Sequence, residues 1–217
     1  MSLILYGVPL SPYVRKVRVC LAHKQLDYKL EIVSPFNQPD WFLELNPLGR
    51  IPALKDDELS LADSSVICQY LDEKYPNSAS LLGDTIEQRA AVRWLEKYAD
   101  YELAPSATFT VFQQRIIAPT MQKPTDEALV QSALNEKLPP LFDYLEDYLG
   151  DNEFFVGESL TLADIAVSCQ LMNMEHGGEQ LDESRWPNLA ALHSRVKQGT
   201  AMHTMLEGEQ KILASLK

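Results

Sequence analysis

Leu3-Ile4-Leu5-Tyr6-Gly7-Val8-Pro9-Leu10-Ser11-Pro12-Tyr13-Val14-Arg15-Lys16-Val17-Arg18 passes from a short apolar run into the start of a helix. Leu3 to Tyr6 has the length and composition of a buried strand. Pro12 suits the first helical position, which makes Ser11 the N-cap. From Pro12 to about His23, Val14, Val17 and Leu21 share a face, and Arg15, Lys16 and Arg18 fall elsewhere. Tyr28 to Val33 alternates and is rich in β formers, so it reads as a second strand. Strand, helix and strand in this order predict a βαβ unit. Asp40 to Leu45 is long enough only for a short helix. Ile51-Pro52-Ala53-Leu54 and Ser60-Leu61 flank Asp56-Asp57-Glu58, the pattern of a hairpin. Ser64 to Tyr75 is helical, with Val66, Ile67, Tyr70 and Leu71 on one face and Pro76 ending it. Residues 1–77 therefore read as β-α-β followed by β-β-α.

The strand signals stop there. Pro76 to Asp84 has linker composition, with 78–84 as the connecting segment, and residues 85–217 carry only helical periodicity. Helices are expected at 86–116, 125–149, 162–174, 187–198 and 201–216. Pro105 should kink or interrupt the first, and Pro139-Pro140 the second. Leu160-Thr161-Leu162-Ala163-Asp164-Ile165 is a capping box in its Asp form, with Thr161 as N-cap and Leu160 and Ile165 placed as a hydrophobic staple. It starts a helix and carries no chemistry. Trp94 and Trp186 read as packing anchors.

The totals exclude several classes. Apolar residues make up 46 % of 217, enough for a sizeable core. No stretch approaches the roughly 20 apolar residues of a membrane-spanning helix. The start, Met1 to Tyr6, lacks a basic leader and reads as strand, not signal peptide. Cys20, Cys68 and Cys169 are odd in number and far apart. His23, His176, His193 and His203 show no ligand spacing. No disulfide framework and no metal site are expected, and a reducing cytoplasm fits best. A net charge of −12 argues against nucleic acid. Residues 1–77 hold 8 basic and 10 acidic side chains, and residues 78–217 hold 11 and 21. The near-neutral first part is the better host for a small anion.

Three segments have the residue types for chemistry. Ser11 as an N-cap is ordinarily only a cap, but unpaired amides and the helix dipole also suit an anion there. A hydroxyl at that point can donate to a thiolate, whose free pKa of roughly 8.5 such surroundings lower. No His/Asp partner is evident for Ser11, so a serine hydrolase is not indicated. In Asn46-Pro47-Leu48-Gly49-Arg50-Ile51-Pro52-Ala53-Leu54, Ile51-Pro52 stands at a strand entrance and Arg50 can clamp a carboxylate or remain a solvated charge. At the Leu61 to Ile67 corner, Asp63 and Ser64 are good caps. The same pair could hold both ends of an amino acid: amides and Ser64 for its carboxylate, Asp63 for its ammonium.

The order and spacing of Ser-Pro-x-x-Arg-Lys-Val-Arg, Asn-Pro-x-Gly-Arg-Ile-Pro-Ala-Leu and Asp-Ser-x-x-Ile-x-x-Tyr-Leu (Asp63 to Leu71), with the Leu160 to Ile165 box, resemble the glutathione transferase superfamily along nearly the whole chain. The resemblance is to its serine-type members (bacterial, theta-, phi- or tau-like) without fixing the class. It implies a thioredoxin-like α/β domain followed by an all-α bundle, glutathione as co-substrate, no metal, and a homodimer in which Trp41 and Phe42 are candidate contacts. It further implies a cis Pro52, an Ile51 backbone paired with the cysteinyl part, and Asp63 and Ser64 on the γ-glutamyl end. Arg50 and Gln38 would reach the glycyl carboxylate, and Ser11 would stabilise the thiolate. Where the family has Glu, this chain has Asp63, one methylene shorter. Tyr6 is the alternative thiolate partner, with core packing as its ordinary role. A small hydrophobic electrophile would lie beside Leu10 and a stripe of Tyr101, Ala104, Thr108 and Phe112, with Phe109 adjacent and Met172 and Met174 as further lining. Such a stripe is more often core than pocket. The implied activity is conjugation to an electrophile or reduction of an organic peroxide. A non-catalytic interaction module and an isomerase of the maleylacetoacetate type are the alternatives. The latter's usual Ser-Ser-Cys start differs from Ser11-Pro12-Tyr13.

Overall fold

Four strands in the order β2-β1-β3-β4 organise the first of two units seen in a computed structural model, which describes residues 3–57 and 59–216. The units are Met1–Leu82 and Gly83–Lys217. The first contains β1 (Leu3–Gly7), α1 (Pro12–His23), β2 (Tyr28–Ile32), α2 (Asp40–Leu45), β3 (Ala53–Asp56), β4 (Leu59–Ala62) and α3 (Ser64–Lys74). β1 and β2 are parallel, as a βαβ unit requires, and β3 is antiparallel to both β1 and β4. The hairpin pairs Asp56 with Leu59, so Asp56 is a strand residue rather than part of the turn. Asp57 takes φ 49°, and Glu58 lies outside the described residues, as do Met1 and Ser2.

Side chains alternate across the sheet. Tyr6 joins Val33, Phe42 and Ala53 in one buried cluster, with Ile4, Leu45 and Ile51 packed on it. Leu3 and Leu5 are buried on the opposite face. α1 packs on α3, and Val14, Val17, Leu21, Ile67 and Leu71 are all fully buried. Cys20 and Cys68 belong to this interior, the Cys20 thiol lying 3.9 Å from the Cys68 carbonyl oxygen.

The second unit is helical throughout its regular structure. α4 runs from Ile86 to Thr120, α5 from Glu127 to Leu149, α6 spans Leu162–His176, α7 Pro187–Gln198 and α8 Thr200–Ser215. Neither Pro105 nor Pro139-Pro140 breaks its helix. A proline removes one amide and crowds the carbonyl four residues back. Here the chain widens into π-type turns at Ala99–Leu103, Ala107–Ile117 and Ala133–Lys137, whose bonds span five residues. The Thr110 hydroxyl donates to the Pro105 carbonyl at 2.8 Å. α6 is buried from Leu162 to Met174, as suits a helix at the centre of a bundle. Its capping box forms: Asp164 accepts from the Thr161 amide at 2.7 Å, the Thr161 hydroxyl at 2.8 Å and the Phe155 amide at 2.9 Å. Trp186 is a buried anchor, but Trp94 is 55 % exposed and donates to the Tyr144 hydroxyl at 2.9 Å.

The segment before Gly83 is tied to the first unit by a buried ion pair. Lys24 Nζ meets Asp72 Oδ1 at 2.7 Å, with the two side chains 1 % and 6 % exposed. Asp72 also accepts from the Ser80 hydroxyl at 2.6 Å and the Leu81 amide at 2.9 Å. Burial would push the Asp72 carboxyl up. The bonds from Lys24, Ser80 and Leu81 outweigh it and hold it below its ordinary value. A lowered carboxylate pKa contributes stability above the unfolded value of about 4, lost as pH falls through the folded value. Asp72→Asn leaves the Lys24 ammonium buried without its counter-ion, and should cost about 3 kcal/mol in denaturant unfolding at pH 7. The difference from the unsubstituted chain should shrink below pH 4.

Candidate active site

The register gathers the chemistry-bearing segments at one end of the sheet. Tyr6 pairs with Ala53, Ala53 with Ala62, and Gly7 with Ile32. The carboxyl ends of β1, β2 and β4 and the amino end of β3 therefore lie side by side. Ser11 follows β1, Gln38 follows β2, Ile51-Pro52 precedes β3, and Asp63-Ser64 follows β4. Segments more than 50 residues apart in sequence leave the same end of the sheet.

Ser11 is the N-cap of α1. Its backbone is extended, at φ −73° and ψ 125°, and its hydroxyl oxygen accepts from the Val14 amide at 3.4 Å. Pro12 occupies the first turn. The Ser11 amide donates to the Val8 carbonyl at 3.1 Å, which fixes the turn leading into the helix. The hydroxyl is half-buried and retains its proton for a ligand, because an oxygen that accepts one bond can still donate another. Leu10, just before it, is buried.

Gly7, which no sequence motif marks, makes this convergence possible. A β-carbon there would overlap Val14 Cγ2 and stand 3.4 Å from Ile51 Cβ. The first turn of α1 and the residue before Pro52 thus close on the same bare backbone. The Ile51-Pro52 peptide is cis. β3 pairing begins at Ala53, so the Ile51 backbone lies beyond the ladder.

The turn before Ile51 is held from inside. Buried Asn46 donates from Nδ2 to the Arg50 carbonyl at 2.6 Å and accepts from the Leu48 amide at 3.1 Å. Gly49 takes φ 59°, and a β-carbon there would meet Gln38 Oε1 at 2.7 Å. Gln38 therefore lies against this turn, and its Nε2 is buried with no hydrogen-bond partner among the described residues. Arg50 is exposed.

At the third corner Asp63 caps α3 from a left-handed backbone, φ 72°. One carboxylate oxygen accepts from the Ser65 amide at 2.9 Å and the Val66 amide at 3.3 Å. Ser64 and Ser65 are buried, 4 % and 2 % exposed. Cap and candidate ligand contact are thus the same side chain.

Tyr6 lies elsewhere. Its ring packs against Trp41 and Phe42, at centroid distances of 5.7 Å and 6.2 Å, in the cluster under α2. Burial, then the nearby Glu31 carboxylate, pushes its phenol up, with Lys29 opposing. Phe42 is wholly buried, and Trp41 is half-exposed. In the second unit the expected stripe divides. Ala104, Thr108 and Phe112 are buried, Thr108 donating to Gln170 Oε1 at 2.6 Å and Phe112 packing near His176. Tyr101 and Phe109 are 65 % and 56 % exposed. The spacing of 3, 4 and 4 assumes a regular helix, and the π-type turns on both sides of Ala104 alter the angle each residue takes. Met172 and Met174 are buried in α6. Among the described residues no group of three or more His, Cys, Asp or Glu is placed to hold a metal ion, and no helix is long and apolar enough to cross a membrane.

Comparison with known proteins agrees with this fold. Residues 5–79 match the family model for the glutathione S-transferase N-terminal domain, and residues 112–207 match that for the C-terminal domain. Glutathione S-transferase 3 of Zea mays is 36 % identical over 165 residues, covering 74 % of this chain and 72 % of the relative. Glutathione S-transferase theta-3 of Mus musculus is 28 % identical over 217 residues, covering 98 % and 89 %. The crystal structure of a glutathione S-transferase from Rhodospirillum rubrum superposes with a TM-score of 0.85 at 29 % identity, covering 94 % of this chain and 91 % of that one. The chain belongs to the glutathione S-transferase family, and is an enzyme of that family.

Gly7→Ala tests the convergence at the sheet end. The added methyl must displace Val14 or Ile51, and should cost about 2 kcal/mol of stability. Glutathione affinity, read by calorimetry, should fall together with it.

Proposed function

We propose that this chain binds glutathione across the end of the sheet and that the Ser11 hydroxyl stabilises its thiolate for attack on a small hydrophobic electrophile. The observation that carries this reading is the register Tyr6–Ala53–Ala62, which aligns Ser11, Ile51-Pro52 and Asp63-Ser64 along one edge. In this reading the Ile51 backbone, outside the ladder, pairs with the cysteinyl residue. Ser64 and the first amides of α3 receive the γ-glutamyl carboxylate, and Asp63 its ammonium. Gln38, whose amide nitrogen lacks a partner among the described residues, and Arg50 serve the glycyl end. The sulfur then rests at the amino end of α1, where the helix dipole and a donated O–H lower the thiol's pKa without a general base. The burial of Tyr6 among Trp41 and Phe42 supports Ser11 over Tyr6.

The same thiolate would reduce an organic peroxide by attacking its terminal oxygen, which breaks the O–O bond and releases the alcohol; a second glutathione then converts the glutathione sulfenic acid to the disulfide and water, so both activities follow from one site. The burial of Cys20, Cys68 and Cys169 fits a reducing compartment such as the cytoplasm. A homodimer belongs to the reading, with the exposed Trp41 as the apolar contact and Phe42 retained in the core.

Ser11→Ala should lower kcat by roughly tenfold or more while glutathione affinity changes little, since one charge-assisted hydrogen bond to the thiolate is lost. The pH profile of thiolate absorbance with bound glutathione should move up toward the free thiol value of roughly 8.5. Unchanged kinetics and an unmoved profile would take Ser11 out of the mechanism.

A further inference from the structure

β2 stands at the rim of its sheet. The order β2-β1-β3-β4 gives it one hydrogen-bonded neighbour, β1, and leaves its other side open among the described residues. One bond fixes which backbone groups face that side. The Val33 amide donates to the Gly7 carbonyl of β1, so Lys29 and Glu31, of the same parity as Val33, also turn their backbone groups toward β1. Tyr28, Leu30 and Ile32 turn theirs outward. An open row of amides and carbonyls is a template for another strand, which proteins blunt with proline, a bulge or unpaired charge. Tyr28 to Ile32 contains no proline. Its one lysine, Lys29, meets Glu31 of the same strand at 2.6 Å, with the side chains 69 % and 41 % exposed. Ile32, at the strand's end, is 66 % exposed.

The segment Tyr28-Lys29-Leu30-Glu31-Ile32 is complementary to itself when reversed. Set antiparallel about Leu30, Lys29 faces the second copy's Glu31, and Tyr28 faces the second copy's Ile32. Opposite charges, and an aromatic against a β-branched side chain, are favourable cross-strand pairs. The backbone agrees. Leu30 against Leu30, and Tyr28 against Ile32 at each end, bring outward-facing groups together and exchange hydrogen bonds. Lys29 and Glu31 then fall in the closer, non-hydrogen-bonded pairs. The neighbouring registers of the same parity would set Lys29 against Lys29, or Glu31 against Glu31, and like charges opposite one another are unfavourable. The Tyr28 hydroxyl already accepts from Arg18 Nε at 3.0 Å, which orients its ring.

We propose that β2 is a self-association edge, across which two copies of this chain join antiparallel about Leu30 into one continuous sheet. The inference gives the proposed homodimer a surface and rests on nothing in the glutathione site. Trp41 packs on Tyr6, the register partner of Glu31, so the apolar contact assigned to the dimer lies beside the same edge. A second copy is the occupant because the complementarity is the segment's own.

Sedimentation equilibrium over a concentration series tests this with two variants at exposed positions, Lys29→Glu and Glu31→Lys. Each sets like charges opposite one another across the joint, and should raise the dimer dissociation constant about tenfold or more. Mixed in equal amounts, the two variants should associate as tightly as the unsubstituted chain, because each offers the charges that the other lacks. A defect confined within one chain cannot be repaired by mixing. Leu30→Pro removes an amide that faces away from β1, a place where an edge strand tolerates proline, and should abolish the dimer with the circular dichroism unchanged. Unaltered dissociation constants in both charge variants overturn the inference, as does a mixture no tighter than its components. A chain that sediments as a single copy throughout overturns it together with the homodimer.

Discussion

The antiparallel pairing of β1 with β3, Tyr6 opposite Ala53, is the constraint from which the site follows. Once these strands lie in register, the cis Ile51-Pro52 peptide must emerge beside the turn that leads into α1. The β3–β4 hairpin then delivers Asp63 to the same edge. A slip of one residue would turn every side chain to the other face. Tyr6 and Ala53 would leave the cluster with Val33 and Phe42, and Leu5 would leave its own buried face. The hydrophobic pattern therefore enforces the register, and the register places the chemistry.

Much of this is legible in the amino-acid sequence. Pro12 and Ser11 announce the start of α1, Thr161 and Asp164 that of α6, and both caps form where their residue types predict. These signals are local: a cap needs only its own turn. What the sequence hides depends on neighbours far along the chain. Lys16 falls on the polar side of an amphipathic pattern, yet it is buried, its ammonium 3.5 Å from the Ser65 hydroxyl of α3. Gly7 resembles an ordinary turn glycine. Its reason is the approach of Val14 and Ile51, one of them 44 residues away. Asn46 gives no signal of its own beside Pro47, though it holds the turn before Ile51 from within. The prolines at 105 and 139–140 predict breaks under a rule for regular helices. The widened turns beside them accommodate what the rule forbids.

Polar groups inside this protein are used in linked sets rather than singly. Asp72 gathers Lys24, Ser80 and an amide; Asp164 gathers two amides and a hydroxyl. Such satisfied groups specify one arrangement, because a competing one would leave a buried charge or amide unmet. The effect of the same principle differs with the partner. Asp72 has a full cation beside it and stays below the ordinary carboxylate range. Asp164 has neutral donors, and burial raises it despite their hydrogen bonds.

That comparison bears on how a serine can suffice at the proposed site. Hydrogen bonds from neutral groups do not outweigh burial at Asp164, where the carboxylate is sealed from water. A thiolate at Ser11 would sit at a half-buried position, where desolvation is smaller, and would meet the dipole of a helix of 12 residues in addition to one hydroxyl. On the proposed reading, the balance there favours the anion. A lysine or arginine placed directly against the sulfur would stabilise it further, but would also lower its nucleophilicity. A neutral donor at a helix terminus yields a sulfur that is ionised near neutral pH and still reactive.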